Sequence, residues 1–177
     1  MEINRAQEIL SESSSELERI KVSYKSSALA PVISAANFDF HYNTLYKRYV
    51  DNYNKGLNKS FNEAGAYLHG IYFSQFGPAR GIKPTGQIRN LIDRKFDNFI
   101  DFKKSFKEHA MKLTGSGWVY LSKSGDIKTI ANHAKRTDIA VLVDMWEHAY
   151  MNDYHSKEKY LDAIWKIMDW NAINSRL

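Results

Sequence analysis

Apolar and aromatic side chains recur at a three-and-four spacing from Phe38 through Tyr42, Leu45, Tyr46 and Tyr49 to Val50. That spacing predicts one face of a long helix, with Ser34 as its N-cap and His41 on the same face. A second helix is predicted to open on a Ser60–Glu63 capping box and to end before Gly77-Pro78. Its inward face carries Ala64, Leu68, Ile71, Tyr72 and Gln75, with His69 beside them. The short connection "KGLNK" makes the two helices an antiparallel pair. After "GPARGIKPTG", whose glycines and prolines mark a connection, helical patterns return at Ile88, Leu91 and Ile92, then at Phe99, Phe102, Phe106, Ala110 and Leu113, with Gly115 as the stop.

The period then shortens. "GWVYLSK", "DIKTIAN" and "IAVLVDMW" are short β-rich runs, the first two joined through "SG", and predict an antiparallel sheet of three strands. A last helix is expected over "SKEKYLDAIWKIMDW", burying Leu161, Ile164, Trp165 and Met168. The fold class is therefore α+β, an antiparallel helical hairpin followed by an α+β part with a three-stranded antiparallel sheet. Expected boundaries are a polar, Ser- and Glu-rich extension over 1–20, the hairpin over 21–78 and the α+β part over 79–177. The extension reads as a short surface helix or as disordered chain.

Composition narrows the function classes. The chain has 177 residues, 44% of them hydrophobic and 14% aromatic, which supports a sizeable core. Its net charge of +5 favours an anionic ligand but falls short of a nucleic-acid-binding signature, so no nucleic acid is expected as a partner. The absence of cysteine excludes disulfides, thiolate metal sites and cysteine nucleophiles. No run reaches the roughly 20 apolar residues of a membrane span, and the Glu-rich N-terminus resembles neither a signal nor a transit peptide. The expected location is cytoplasmic, with no membrane partner.

Within "VDMWEHAY" an acid, Asp144, stands four residues before His148 in an apolar and aromatic stretch. A buried carboxylate must reach solvent or be neutralised, and a metal ion is one such partner; Asp144 as the cap of a following helix is another. His41 and His69 are further candidate ligands, although a histidine within a helix is more often a hydrogen-bonded core or surface residue than a ligand. All are bracketed by aromatics, in "FHY", "YLHGIYF" and "WEHAY". Apolar walls around nitrogen and oxygen donors control solvent access to a metal.

Four blocks, "ALAPVISAANFDFHYNTLYKRYV", "FNEAGAYLHGIYF", "GSGWVYL" and "VDMWEHAYMNDY…AIWKIMDW", resemble the iron/manganese superoxide dismutase family in matching order, over nearly all of the chain after about residue 21. The resemblance implies one Fe or Mn ion per chain, held by His41, His69, Asp144 and His148 with a solvent molecule. It also implies superoxide as substrate, converted to dioxygen and hydrogen peroxide by a metal that alternates between two oxidation states. Tyr49 matches the tyrosine that guards the substrate channel, and Tyr72 and Trp118 match aromatics of the pocket wall. Core packing is their alternative role. Family members place a glutamine near the bound solvent, in iron-type members often four residues before the second His ligand, where this chain has Gly65. Near the second strand, where manganese-type members carry theirs, His133 of "IANHAK" aligns and becomes the outer hydrogen-bond candidate, with a surface-turn histidine as its plain reading.

The chain also departs from the family pattern. Where most members have a His and a Tyr that meet across the dimer, it has Leu45 and Met151, while Glu147, which in the family pairs with the last His ligand of the partner chain, is kept. A homodimer with an apolar Leu45–Met151 contact is the expectation. The usual downstream Arg-Pro is replaced by Lys157-Glu158. The rival reading is a binding or scaffold protein that has kept this fold without activity; a hydrolytic metal enzyme would require an acid/base group poised at the water, for which only Tyr49 and His133 stand near. Iron and manganese are not distinguished by these residues.

Overall fold

The computed structural model describes residues 16–78 and 83–177. Of the extension expected over 1–20, residues 1–15 lie outside the described residues, as does the middle of the Gly/Pro connection at 79–82; residues 16–20 are non-helical, and the amides of Leu17 and Ile20 donate to Asn54 Oδ1 at 2.9 Å and to the Tyr46 hydroxyl at 3.1 Å. Ser34 caps the first helix as predicted, its Oγ accepting the Asn37 amide at 3.1 Å. The helix is not regular, however: α1 (Ala35–Phe38) passes into a π-helical segment, Asp39–Tyr46, and returns to α geometry as α2 (Lys47–Asn54). Arg19 Nη1 donates to the Tyr42 carbonyl within that segment at 2.8 Å, an outside side chain entering the helical ladder, which is one cause of such departures. A contact made 23 positions away leaves no mark on local periodicity.

The second helix, α3 (Lys59–Ser74), is antiparallel to α2 and packs on it. Its start differs from the expected capping box. The N-cap is Asn58, held at φ 35° in the left-handed region that Asn tolerates, with no side-chain cap bond. Ser60 lies inside the helix, and the Glu63 carboxylate accepts Lys135 Nζ at 2.7 Å instead.

After the connection, α4 (Gly86–Phe96) leads to α5 (Phe99–Lys112), capped by Asn98, whose Oδ1 accepts the amides of Ile100 and Asp101 at 2.9 and 3.0 Å. The strands are β1 (Gly117–Ser122), β2 (Ile127–Ala131) and β3 (Ile139–Asp144), antiparallel in the order β2-β1-β3, with Trp118 opposite Asp144. Every residue of β1 and β3 is buried, because α5 lies on β1 and α3 on β3; only β2 shows an exposed face. The α+β class and three-stranded antiparallel sheet are therefore as expected.

The single last helix is a correction. Helix α6 (Lys157–Ala163) tightens into a 3-10 turn, Ile164–Ile167, and stops; α7 (Trp170–Asn174) then starts afresh. Met168 leaves the helix to bridge Phe76, the Asp169 amide donates to the Gln75 carbonyl at 2.8 Å, and the Asp169 side chain caps α7. Asp prefers such a cap to a helix interior, which breaks the apparent period. Around Trp165 the rings of Phe99, Phe102 and Phe106 close at centroid distances of 6.0, 5.3 and 5.1 Å, forming the core beside α5. Among the described residues, no helix is long and apolar enough to cross a membrane.

Candidate metal centre

His41, His69, Asp144 and His148 come from four different local structures. His41 sits in the π-helical segment, His69 in the middle of α3, Asp144 at the end of β3, and His148 in the 3-10 turn Glu147–Ala149 that follows. Asn37 and Asp153 bring the first and last of these together: Asn37 Nδ2 donates to the Ala149 carbonyl at 3.1 Å and to Asp153 Oδ2 at 3.0 Å, and the same carboxylate oxygen accepts the Ser34 amide. The result is one ligand atom from each of the four residues, all within 4.8 Å of one another.

The arrangement cannot satisfy itself by hydrogen bonding. Three imidazole Nε2 atoms converge on one carboxylate oxygen, Asp144 Oδ2, at 3.3 Å from His41, 3.8 Å from His69 and 3.2 Å from His148. Among the described residues only His148 makes a hydrogen bond to it, and Nε2 of both His41 and His69 is left buried without a partner. For His69 the tautomer follows from geometry: Nδ1 lies 2.7 Å from the Gly65 carbonyl, which can only accept, so the proton is on Nδ1 and the Nε2 lone pair faces the cluster. Buried polar atoms without partners are costly unless something fills the gap, and a cation held by three nitrogens and one oxygen does so. With no sulfur in the set, the donors suit Fe or Mn.

The electrostatics point the same way. Burial pushes the Asp144 carboxyl up, but the adjacent His148 and His41 imidazoles overcome it and hold the group below the ordinary carboxylate range. Burial lowers His41, and burial with the neighbouring His41 ring lowers His69 further, so both are neutral and available as ligands. Asp144 Oδ1 accepts the Trp146 amide at 2.9 Å, so the carboxylate orients the turn after β3, a role close to the capping alternative, while Oδ2 points at the histidines.

Around the four, the other expected residues fall as follows. The Tyr49 ring lies 5.0 Å from the His69 ring and its hydroxyl 3.0 Å from His133 Nε2. Trp118 packs edge-on to His69 at 5.0 Å and its indole Nε1 donates to His133 Nδ1 at 3.1 Å. His133 is thus no isolated surface-turn residue: it bridges Trp118 and Tyr49 and stacks on Trp146 at 4.8 Å. Burial lowers its pKa to about 4. Burial, with Asp144 nearby, raises that of Tyr49 to about 12. Tyr72 lies 5.3 Å from the His41 ring, and its hydroxyl meets that of Tyr160 at 2.9 Å. Glu147 and Met151 are at the surface, Met151 49% exposed, whereas Leu45 is 6% exposed and mostly enclosed by its own chain.

Sequence reasoning missed several contributors. The Gly65 carbonyl orients His69, and a side chain at Gly65 would press on the Tyr49 ring, with a Cβ only 2.8 Å from its Cδ1. Tyr46 stacks on His69 at 5.7 Å, Trp146 on His148 at 5.6 Å, and Tyr160 closes the Tyr72 hydroxyl. The four-residue spacing from Gly65 to His69 and the place of Trp146 two residues before His148 in "WEHAY" were the local signals; the contacts of Tyr46 with His69 and of Tyr160 with Tyr72 join distant positions.

Comparison with known proteins agrees with this architecture. The alpha-hairpin domain model of the iron/manganese superoxide dismutases matches residues 16–64, and the C-terminal domain model of the same family matches residues 84–176. A "Superoxide dismutase [Mn/Fe]" of Porphyromonas gingivalis is 37% identical over 187 residues, covering 90% of this chain and 98% of the relative. A "Superoxide dismutase [Fe]" of Bacteroides fragilis is 33% identical, covering 90% and 98%, and one of Escherichia coli K12 is 34% identical, covering 87% and 94%. With both domain models matched in order and relatives aligned along nearly their full length, the chain belongs to the iron/manganese superoxide dismutase family.

Proposed function

We propose that this chain is a superoxide dismutase in which His41, His69, Asp144 and His148 hold one Fe or Mn ion. The observation that carries the reading is the pair of buried, unpartnered Nε2 atoms of His41 and His69 facing a carboxylate that cannot serve them both. Iron or manganese bound there supplies one-electron chemistry, by which two superoxide anions and two protons become dioxygen and hydrogen peroxide.

The chain's own groups set the proton supply. The indole of Trp118 can only donate, so His133 accepts at Nδ1 and, being neutral, carries its proton on Nε2. That proton is aimed at the Tyr49 oxygen, which leaves the Tyr49 hydroxyl hydrogen free to be donated into the pocket. Tyr49 keeps it at neutral pH because burial and Asp144 disfavour the phenolate. Tyr72 and Trp118 wall the other sides and exclude water.

The homodimer belongs to the same proposal. Glu147 and Met151 lie at the surface immediately around His148, where a second copy would meet the ligand turn, and the Met151 amide donates to the Glu147 carbonyl at 2.9 Å. The division into 21–78 and 79–177 is supported by the ligand split, two histidines from the first part and Asp144 and His148 from the second. Antioxidant protection and a cytoplasmic location are kept as parts of this proposal, the location to be checked by cell fractionation. The test is elemental analysis and a superoxide assay on one natively expressed sample: about one Fe or Mn per chain with activity is expected. Full activity in a metal-free sample would overturn the reading, and bound metal without activity would favour the scaffold alternative.

A further inference from the structure

In an antiparallel pair, alternate residues turn their backbone groups toward or away from the neighbouring strand. On β3, the last strand in the order β2-β1-β3, Ala140 and Leu142 turn theirs toward the open edge. Side chains take up those groups. The Leu142 amide donates to Gln75 Oε1 at 3.1 Å, and Gln75 Nε2 donates to the Leu142 carbonyl, so one amide side chain stands in for a neighbouring strand. The Ala140 carbonyl accepts Arg176 Nη2 at 3.0 Å.

Gln75 is fully buried and sits at the C-terminal end of α3, six positions after His69, while Leu142 is two positions before Asp144 and on the same side of its strand. One side chain therefore fastens the helix that carries His69 to the strand that carries Asp144. Its main chain adds a further tie, the Gln75 carbonyl accepting the Asp169 amide at 2.8 Å.

Resting on the proposed metal centre, we infer that Gln75 is a positioning residue: its paired hydrogen bonds to Leu142 set the distance between His69 Nε2 and Asp144 Oδ2, and so the affinity for the metal. Without the amide, the Leu142 N–H and C=O would be buried and unpaired, and β3 would shift to find other partners. The ligands themselves would remain, displaced from one another.

The test is a titration of the metal-free protein with Mn(II) against a competing chelator. Gln75→Met, close in size but without the amide, should weaken Mn(II) binding by about tenfold or more, in the range found when support around metal ligands is removed. It should also shift the visible band of the Fe(III)-loaded protein, which a loss of global stability alone leaves in place. Gln75→Asn, which keeps the amide one methylene short, serves if Gln75→Met does not fold and should also bind more weakly than wild type. Ile88→Val, a buried change in α4 away from the centre, is the control for general destabilisation and should bind as wild type does. Wild-type affinity and spectrum in the Gln75 variants, or an equal loss in Ile88→Val, would overturn the inference while leaving the metal centre standing. Failure of the wild-type chain to take up Mn(II) or Fe(II) would overturn both.

Discussion

Two aromatic clusters share this molecule and came to opposite ends. Around Trp165, the rings of Phe99, Phe102 and Phe106 pack at centroid distances of 5.1 to 6.0 Å, and none of these residues is among those with a buried polar atom left without a partner in the described residues. Around His69, the rings of Tyr46, Tyr49, Trp118 and Phe73 pack at similar distances, between 5.0 and 6.3 Å, yet the buried Nε2 atoms of His41 and His69 among them lack partners within the described residues. Aromatic bracketing alone therefore does not mark a site. What separates the two is unsatisfied polar atoms at the centre, which an apolar core avoids and a metal centre needs.

The sharpest way to break that contrast is one substitution in each cluster. His69→Ala should abolish stoichiometric metal binding and dismutation, since one of four donors is lost and bound metal stabilises only the folded state. Phe106→Ala should cost about 3–5 kcal/mol of stability by leaving a cavity, while the protein that stays folded keeps its full metal content. Elemental analysis and chemical denaturation on both variants check this; metal loss in the Phe106 variant at temperatures where it is folded would erase the distinction.

Acid probes the polar cluster alone. His133 has its pKa lowered to about 4 from an ordinary 6.5. Between those values the unfolded chain binds more protons than the folded one, so stability is full above pH 6.5 and falls as pH drops toward 4. For His133 alone the loss in the metal-free protein reaches about 2 kcal/mol by pH 5. His41 and His69, lowered by the same burial, add to it in the same direction. Denaturation midpoints measured from pH 7 to 5 should fall accordingly, and His133→Gln should flatten the curve. A curve that His133→Gln leaves unchanged would count against a buried neutral imidazole at this place.

The smallest expected effect lies at the surface. If a second copy docks over the ligand turn, the exposed part of Leu45 meets Met151 of the partner, an apolar contact of about 1 kcal/mol. Leu45→His should weaken the dimer, and adding Met151→Tyr should recover much of the loss, because the imidazole then has a partner. Dimer dissociation measured for the singles and the double gives the coupling directly; strict additivity would show that the two residues do not meet.

The sequence was most informative where structure is local. The Ser34 cap, the apolar face around Tyr46 and Tyr49, the strand runs and the "DMWEHAY" block are each readable from neighbours within one or two turns. It was silent where the chain answers to distant residues. Asp169 ended a helix that Ile164, Trp165 and Met168 predicted to continue, because Gln75 and Phe76 drew that segment out. Glu63 had the spacing of a capping partner and paired with Lys135 instead, 72 positions away. Within the site the four donors were legible by type and neighbourhood; the inward place of Gln75 and the four-residue spacing of Gly65 from His69 were legible too, but not what the Gln75 amide and the Gly65 carbonyl bond to, since those partners are set by the tertiary fold.

The π-helical stretch that carries His41 gives the site a dependence on chain count. Each residue of an α-helix advances the chain by about 100° of rotation, so the wider turns of Asp39–Tyr46 set the angular phase between the capped start at Ser34 and the Tyr49 end. Deleting one residue that is not itself part of the centre would let the stretch tighten to an ordinary α-helix, whose larger rotation per residue offsets much of the rotation lost; the two ends would keep nearly their relative bearing while His41, between them, turned relative to both. Every side chain named in the centre would survive such a deletion except in its bearing. In this segment substitutions are tolerated according to chemistry, but length is not negotiable.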